Sequence, residues 1–391
     1  MRRAYKFRAY PTRLQQGRAL RLLADHCDLY NAALQERRDA WGMQRASISY
    51  GIQSAQLREI RATDPEGQGR HSFTAQQQTL RRLNTVFTAF YRRAAAGKAG
   101  YPRFKPYSRF DQVTFVAGDG AKWIAGTGRW ARASLQAVGS VKVHRHRPVP
   151  GKVKALQLKR EHRRWYVIVI AEAKPVSLPA SGRSVGVDLG VARFLTTSDG
   201  EVIANPRFLA ASQQIIADLQ RRKERARRGS GNRKRIRRQL AREWRRVRNR
   251  RRDFHHKTAR ALATSCDVIA LEKLNTAGMT RRPAPVPDGN GGWLPNGASA
   301  KSGLNKMILD AGWAQFAKIL AGKAESAGRQ VIFVNPAGTS ITCYTCGQSC
   351  DRPRQDTVTC LRCGPADADL NGARNIYARA GLGSGQAAPA V

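Results

Sequence analysis

Hydrophobic residues in the first quarter of the chain recur at the spacing of amphipathic helices. Residues 4–10 alternate like a strand that ends at Pro11, and Thr12 with Gln15 three positions later matches a capping box, which predicts a helix start. Apolar residues then return every three or four positions, as on one buried helical face. Two such buried faces are indicated, one formed by Leu20, Leu23, Cys27, Tyr30 and Leu34 and the other by Leu80, Leu83, Phe87 and Phe90; each is called a stripe below. From these two stripes we expect a helical region over about 12–95, after a first strand.

From residue 113 to 173 the pattern alternates with the period of β-strands. Apolar runs at 153–158 and 165–169 flank a polar turn, which predicts a hairpin. Prolines, serines and a glycine at 175–182 predict a linker, and a short apolar strand broken by glycines follows. A stretch rich in Pro, Gly and Asn at 283–303 predicts a mobile loop.

Charge changes this picture most, because 70 Lys and Arg stand against 27 Asp and Glu, a net charge of +43. Such a surplus repels itself and predicts a polyanionic partner, nucleic acid above all. Residues 221–260 hold 20 Lys or Arg and three acids. A solvated or disordered face is one interpretation, but apolar residues keep helical spacing there and favour a helical hairpin turned at 229–231: Ile236, Leu240, Trp244, Val247 and Phe254.

Without an apolar run of ~18 residues or a signal-peptide core, we expect a soluble, intracellular protein and no membrane partner.

Three carboxylates lie next to apolar segments, where burying an acid costs free energy. Asp188 and Glu272 each end an apolar strand, and Asp369 precedes a predicted helix. Hard oxygen ligands from distant segments could hold two Mg²⁺ for phosphodiester hydrolysis. Each acid alone is weak support, since an Asp near Gly is often a turn residue and Asp369 could be a simple N-cap. An ATPase strand also ends in Asp-Leu-Gly, but it needs further glycine-rich phosphate loops, which we do not find.

Seven cysteines are an odd number for a disulfide framework, and four of them form two C-x-x-C pairs separated by 13 residues. Each pair supplies two thiolates from one tight turn, as a tetrahedral Zn²⁺ site requires. The predicted ligands are Cys343, Cys346, Cys360 and Cys363. We expect this zinc to be structural, and the ribbon around it to steady the third carboxylate. Cys27 and Cys266 are predicted core residues, and Cys350 is a spare.

In order and spacing these residues resemble the TnpB family, transposon-encoded RNA-guided nucleases related to type V CRISPR effectors. The motifs that carry the likeness are 187–190, 251–257, 271–275 with Gly278 and Met279, 339–340 ahead of the cysteine pairs, and 369–376. The likeness covers most of the chain. Weaker support comes from 82–93 and 100–105.

The resemblance implies a multidomain α/β protein with a β-barrel. Its expected parts are a wedge β-barrel domain at 1–11 and 112–180, a helical recognition lobe at 12–111, an RNase H-like (RuvC) nuclease domain at 181–338 and 365–379, a zinc ribbon at 339–364 and a disordered tail at 380–391. It also implies a guide RNA from the transposon end, one protein chain per RNA, and location with the nucleoid in a bacterial or archaeal cytosol. The guide pairs with double-stranded target DNA while the protein reads a short flanking motif.

By the same resemblance, the residues that read the flanking motif are Tyr50, Phe73, Gln77 and Thr114. Gln can pair with an adenine edge and Thr can meet a thymine methyl. Gln77 stands in a run of three glutamines, and a solvated helix face is the alternative for it.

The chain departs from the family at three points: Lys273 replaces an acid or amide, Gly372 replaces Ala, and the short 363–369 stretch makes Asp367 a rival third ligand. Asp369 is preferred because Asn371 and Asn375 then fall in the family's register. The predicted function is an RNA-guided DNA endonuclease that uses Mg²⁺. The alternatives are a nuclease-inactive RNA-guided repressor, which loss of a carboxylate would mark, and a DNA-joining transposase.

Overall fold

The computed structural model describes residues 1–97 and 100–383. The chain divides into two compact units, Met1–Lys174 and the part from Pro175 onward. Residues 384–391 of the predicted tail lie outside the described part. Within it, Ala380 and Leu382 pack against a small core of Val334 and Ile376, so the predicted start of the tail at 380 is too early.

The first unit begins with a strand and three helices. They are β1 (Arg2–Tyr10), α1 (Arg13–Gln44), α2 (Tyr50–Thr63) and α3 (Phe73–Ala95). The capping box predicted for α1 is present, since the Thr12 hydroxyl accepts from the backbone N–H of Gln15 and the Gln15 side chain accepts from that of Thr12. Both predicted stripes contribute to one core, although Leu20 is exposed and Leu22 and Leu29 are buried instead.

Six further strands complete an antiparallel sheet with β1. They are β2 (Gln112–Val116), β3 (Ala121–Ala125), β4 (Trp130–Leu135), β5 (Gly139–His144), β6 (Lys152–Glu161) and β7 (Arg164–Glu172). The order is β2-β6-β7-β1-β5-β4-β3, and the β6–β7 pairing confirms the predicted hairpin.

The expected closed barrel is not confirmed, because β2 and β3 are the two edges of this sheet and do not pair with each other within the described residues. The turn between them is held by the start of α3 instead. The backbone N–H of Thr74 donates to the Asp119 carboxylate at 2.8 Å, and the Ser72 hydroxyl donates to it at 3.1 Å. The turn is therefore fixed to a helix rather than continued as a ladder.

The second unit is built on a mixed five-stranded sheet in the order β10-β9-β8-β11-β14. Its strands are β8 (Ser184–Leu189), β9 (Arg193–Thr197), β10 (Val202–Ala204), β11 (Val268–Glu272) and β14 (Gln330–Val334). β8, β11 and β14 are parallel to one another, β9 pairs antiparallel with β8, and β10 pairs antiparallel with β9. This topology fits the RNase H-like expectation.

The remaining elements of this unit are mostly helices. They are α4 (Gln213–Arg225), α5 (Gly231–Ser265), α6 (Thr276–Met279), β12 (Val286–Pro287), β13 (Trp293–Leu294), α7 (Ala298–Ala311), α8 (Trp313–Ser326), β15 (Thr357–Cys360), β16 (Gly364–Asp367) and α9 (Ala368–Arg379). α4 and α5 form the predicted basic hairpin, although Trp244 is 43% exposed rather than part of its apolar face. The predicted loop at 283–303 is wrong at its end, since α7 begins at Ala298. No helix in the described part of the chain is long and apolar enough to span a membrane.

Candidate carboxylate and cysteine sites

Asp188 and Glu272 lie at the carboxyl ends of neighbouring parallel strands. In the β8–β11 ladder Val187 pairs with Leu271, so the next residues, the two acids, occupy adjacent positions at the ends of the two strands. Buried apolar residues precede both. The structure thus places these two predicted site residues next to each other.

Asp369 reaches the same place on helix α9, which packs directly on β8. Gly186 makes this possible, since a Cβ there would lie 2.2 Å from the carbonyl oxygen of Ala373 and 2.7 Å from the backbone nitrogen of Tyr377. The glycine that interrupts the apolar strand is thus a contact point for the helix. Gly372, three residues after Asp369, faces Asp188, and a Cβ on it would lie 3.4 Å from the carboxylate carbon, an ordinary contact.

The three carboxylates interact electrostatically. Burial, together with the charges of Glu272 and Asp369, raises the pKa of Asp188 from 3.8 to about 7. Burial also raises the pKa of Glu272 and of Asp369, although the Thr339 hydroxyl opposes the rise at Glu272 and Arg193 opposes it at Asp369. Carboxylates that share a desolvated site disfavour each other's ionisation. A cation bound there would favour the ionised carboxylates instead.

The rival acid Asp367 has a different task. It is the N-cap of α9, where its carboxylate accepts from the backbone N–H of Leu370 at 2.9 Å. Arg193 also donates to it at 2.7 Å, and although burial alone would raise the pKa of Asp367, these bonds lower it. Asp367 is held in its charged form by these bonds and is already engaged as the N-cap of α9. The N-cap alternative raised for Asp369 belongs to Asp367 instead.

A hydrogen-bond network joins the ribbon to the helix that carries Asp369. The Nδ2 group of Asn375 donates to the carbonyls of Thr339 (2.9 Å) and Thr342 (2.7 Å). Asn371 donates to the Thr342 carbonyl at 2.8 Å and accepts from the Tyr344 backbone N–H at 2.9 Å. The buried Thr339 hydroxyl in turn donates to the Glu272 carboxylate. One short segment therefore contacts both a strand-end acid and the helix of another.

The four predicted cysteine ligands come together. Their sulfur atoms all lie within 4.8 Å of one another. Cys343 and Cys346 lie in a turn before β15, and Cys360 and Cys363 lie where β15 turns into β16. Burial alone would raise the pKa of Cys343, but backbone N–H groups of Cys346 and Thr345 donate to its sulfur and bring the pKa to about 6. Backbone N–H groups of Cys363 and Arg362 lower the pKa of Cys360 in the same way. These backbone donors favour the thiolates of Cys343 and Cys360, the form that binds metal. The pKa of Cys363 is raised instead, by its side-chain hydrogen bond with Cys346, by burial and by the neighbouring sulfur charges.

No other set of three or more His, Cys, Asp or Glu in the described residues is as tight as these thiols. The three carboxylates are not among the groups of ligand atoms that lie this close together in the described residues. Cys350, the predicted spare, is buried beside the thiols: burial and the charges of Cys343 and Cys360 raise its pKa to about 11. A thiol that resists ionisation is a poor fifth ligand. Cys27 and Cys266 are core residues, as predicted.

The predicted flanking-motif residues lie in the first unit, on α2, α3 and β2. Gln77 donates to the Ser54 hydroxyl at 3.0 Å, and the Arg81 guanidinium lies 5.3 Å from the centre of the Tyr50 ring. Phe73 is exposed. Thr114 lines a cavity of 600 Å³ together with residues that the sequence reasoning missed: Gln78, Arg81, Gln112 and Gln157. Gln77 is absent from that lining.

Family models match three parts of the chain. One described as "Probable transposase" matches 167–282, one described as "Cas12f1-like, TNB domain" matches 313–376, and one described as "Helix-turn-helix domain" matches 1–45. The second match contains the cysteine site and Asp369. The third spans one strand and one long helix in this structure rather than two helices.

Similar proteins span nearly the whole chain. "Putative RNA-guided DNA endonuclease InsQ" of Escherichia coli (strain K12) is 32% identical over 96% of this chain and 91% of that protein. "Putative RNA-guided DNA endonuclease" of Streptomyces pristinaespiralis is 30% identical over 98% of this chain and 90% of that protein. The solved structure "Structure of the mini-RNA-guided endonuclease CRISPR-Cas_phi3" matches with a TM-score of 0.49 at 10% identity, over 100% of this chain and 94% of that one. With two such relatives matched from end to end, the chain belongs to the TnpB family of RNA-guided DNA endonucleases.

Proposed function

We propose that this protein is a transposon-encoded RNA-guided DNA endonuclease whose carboxylates Asp188, Glu272 and Asp369 hold Mg²⁺ for phosphodiester hydrolysis. The observation that carries the proposal is geometric: Asp188 and Glu272 lie at adjacent ends of β8 and β11, and Asp369 lies on the helix that packs against β8. Burial, with the charges of Glu272 and Asp369, raises the pKa of Asp188 to about 7. A protein keeps such a set where a cation relieves the repulsion among its acids. All the donor atoms are carboxylate oxygens, which is the chemistry that Mg²⁺ prefers.

In this site each residue has a separable contribution. Asp188 and Glu272 are fixed by the sheet, so their spacing is set by the β8–β11 ladder. Asp369 is delivered by α9, whose first turn is capped by Asp367 and whose contact with β8 depends on Gly186. Bound Mg²⁺ supplies a polarised water and stabilises the leaving oxygen. The Thr339 hydroxyl donates to one Glu272 oxygen and so restricts the rotation of the carboxylate that would hold the cation.

The cysteine site is proposed to hold a structural Zn²⁺ with a positioning role. Four thiolate donors complete a tetrahedral shell and leave no open position for substrate. The turns that carry the ligands are joined to α9 by Asn371 and Asn375. Loss of Zn²⁺ should therefore disturb Asp369 as well as the ribbon itself.

The guide RNA and target DNA are the polyanions that a charge of +43 requires. The exposed basic face of α5 is proposed to follow a phosphate backbone. Flanking-motif reading is proposed for Tyr50, Phe73, Gln77 and Thr114, with Gln78 added as a rival to Gln77 because it lines the cavity beside Thr114. Amide and hydroxyl groups around one cavity suit base-edge contacts.

Cleavage by the protein purified with its RNA tests the function. A plasmid library with a randomised flank should be cut in Mg²⁺ beside a preferred motif. Asp188→Asn, Glu272→Gln and Asp369→Asn should each abolish cutting while target binding persists, because binding rests on phosphate contacts and base pairing. Asp367→Asn is the matched control and should still cut.

Two results would contradict these assignments. Binding without cutting by the unmodified protein would favour the RNA-guided repressor. Normal cutting by any of the three variants would refute the metal site. In the same library Gln77→Ala and Gln78→Ala identify the reader, since only the true one should relax the flank preference, by roughly 1–3 kcal/mol.

A further inference from the structure

An open cavity of 1210 Å³ lies in the first unit, between the start of α1 and the turn that joins β4 to β5. Four arginines line it: Arg13, Arg18, Arg21 and Arg70. Leucines from both sides, among them Leu14 and Leu135, make part of the wall apolar. The volume exceeds the ~300–1,000 Å³ of sites for small molecules. A segment of a larger ligand is the better match, and none of the residues predicted from the sequence lies in this cavity.

Three of the arginines form no ion pair in the described part of the chain. Arg70 pairs with Asp25, but Arg13, Arg18 and Arg21 make no ion pair within the described ranges 1–97 and 100–383. The first turn of α1 contains no acid, and Arg13 is its first residue. Cations at a helix N-terminus are disfavoured by the helix dipole, and neighbouring like charges repel each other. This arrangement is destabilising for the protein alone and favourable once an anion is bound.

Gly17 leaves the backbone of α1 open at the cavity wall. It lies within α1 on the cavity wall, where glycine is less stable than alanine. A Cβ at this position would meet nothing within 4 Å, so packing inside the protein does not require glycine. The missing side chain leaves the helix backbone open to close approach from the cavity.

We propose that this cavity binds a turn of the guide-RNA backbone, with phosphates at Arg13, Arg18 and Arg21 and a nucleoside against Gly17 and the leucines. Duplex DNA presents its phosphates on the outside of a cylinder, whereas folded RNA has turns and splayed nucleotides that enter a concave site. The amide of Gln136, which also lines the cavity, donates to the Arg70 carbonyl at 2.9 Å. Arginines outnumber amides there, so the site should bind backbone rather than read sequence. The proposal rests on the RNA-guided function proposed above.

Binding of the RNA that co-purifies with the protein, transcribed in vitro, tests the site. Arg18→Ala with Arg21→Ala should weaken RNA binding at least about tenfold. It should also reduce the slope of log affinity against log salt by roughly 1.4, or ~0.7 for each phosphate that is no longer neutralised. Arg92→Ala, a substitution of an exposed arginine outside the cavity, is the control and should change neither.

Gly17→Ala separates a ligand role from a structural one. Alanine should raise the melting temperature of the free protein and yet weaken RNA binding, because its methyl group enters the cavity. Gly42→Ala, in the same helix but outside this cavity and also with open space around a Cβ, should raise the melting temperature alone. A stabilised Gly17→Ala protein with unchanged RNA affinity would overturn the proposed close approach.

The outcomes distinguish this proposal from the function on which it rests. If the unmodified protein binds no RNA, the proposed function fails. If it binds RNA and the arginine variants bind equally well, only the cavity assignment fails. If the variants lose target-DNA binding by the preassembled complex but keep RNA affinity, the occupant is DNA and the proposal is wrong.

Discussion

Replacement of Gly186 by alanine tests how the carboxylate site is assembled, because this residue touches none of the reacting groups. The added Cβ would lie 2.2 Å from the Ala373 carbonyl oxygen, whereas real Cβ contacts are essentially never under 3.0 Å. Helix α9 and strand β8 must therefore separate by at least 3.0 − 2.2 = 0.8 Å at this point. The opposing atom is backbone, so no side-chain rotation can relieve the contact. Asp369 moves with its helix.

The expected magnitudes follow from that displacement. Forced overpacking costs about 1–3 kcal/mol of folding stability, and misplacement by about 1 Å can cost ~10²-fold in rate. Gly372→Ala is the matched control, since its Cβ meets Asp188 at an ordinary 3.4 Å. It removes a glycine from a helix interior and should add up to about 1 kcal/mol of stability. Its cleavage rate should stay within a few-fold of that of the unmodified protein.

Single-turnover cleavage at saturating Mg²⁺ measures the effect, with zinc content and target binding as checks that Gly186→Ala is folded. A folded, zinc-loaded Gly186→Ala protein that cuts at the normal rate would show that α9 does not set the position of Asp369. A loss of the same size in Gly372→Ala would show that the cleft tolerates no change at all, and would refute the special role given to the backbone contact at Gly186.

Three further predictions concern charge, orientation and metal. Because the pKa of Asp188 rises from 3.8 to about 7, the metal-free fold binds more protons than the unfolded chain between those values. Its free energy of unfolding should then fall as pH rises through that window; melts in chelator should show this, and Asp188→Asn should flatten it. Thr339→Val should raise the Mg²⁺ concentration for half-maximal cleavage roughly tenfold or more, whereas Thr339→Ser should not, since the hydroxyl bond to Glu272 is charge-assisted. Elemental analysis should find about one zinc per chain, and Cys346→Ser should lower zinc content and cleavage together.

Much of the candidate site is visible in the sequence because its elements are locally encoded. An acid directly after an apolar strand is visible by pattern alone, and adjacent parallel strands bring such acids together, as with Asp188 and Glu272. The cysteine pairs are equally local. Sheet closure is not locally encoded, because it depends on which groups form hydrogen bonds at the edge of the sheet. Here Asp119 binds the start of α3, which no periodicity of the strands reveals.

The run of glutamines shows where sequence reasoning ends in the first unit. Successive helical residues point about 100° apart, since a turn takes 3.6 residues. Gln76 is buried and bonded to Arg61, Gln77 reaches Ser54, and Gln78 lines the cavity beside Thr114. Three identical letters thus have three different surroundings, and only the helix rotation decides which of them can meet DNA.

The exact position of residues on a helix also decides which acid is the third carboxylate of the proposed metal site. Asp367 and Asp369 differ by two positions at a helix start, and helix ends are the least predictable part of an element. If α9 began two residues later, Asp369 would be the cap and would lose its access to Asp188. The structure starts the helix at Ala368, so Asp367 caps it and Asp369 lies in the first turn. What fixes that start lies outside the helix: Arg193 on β9 holds Asp367 at 2.7 Å, and Asn371 and Asn375 bind the ribbon carbonyls. Which of the two acids is proposed as a metal ligand therefore depends on contacts from segments far away in the sequence.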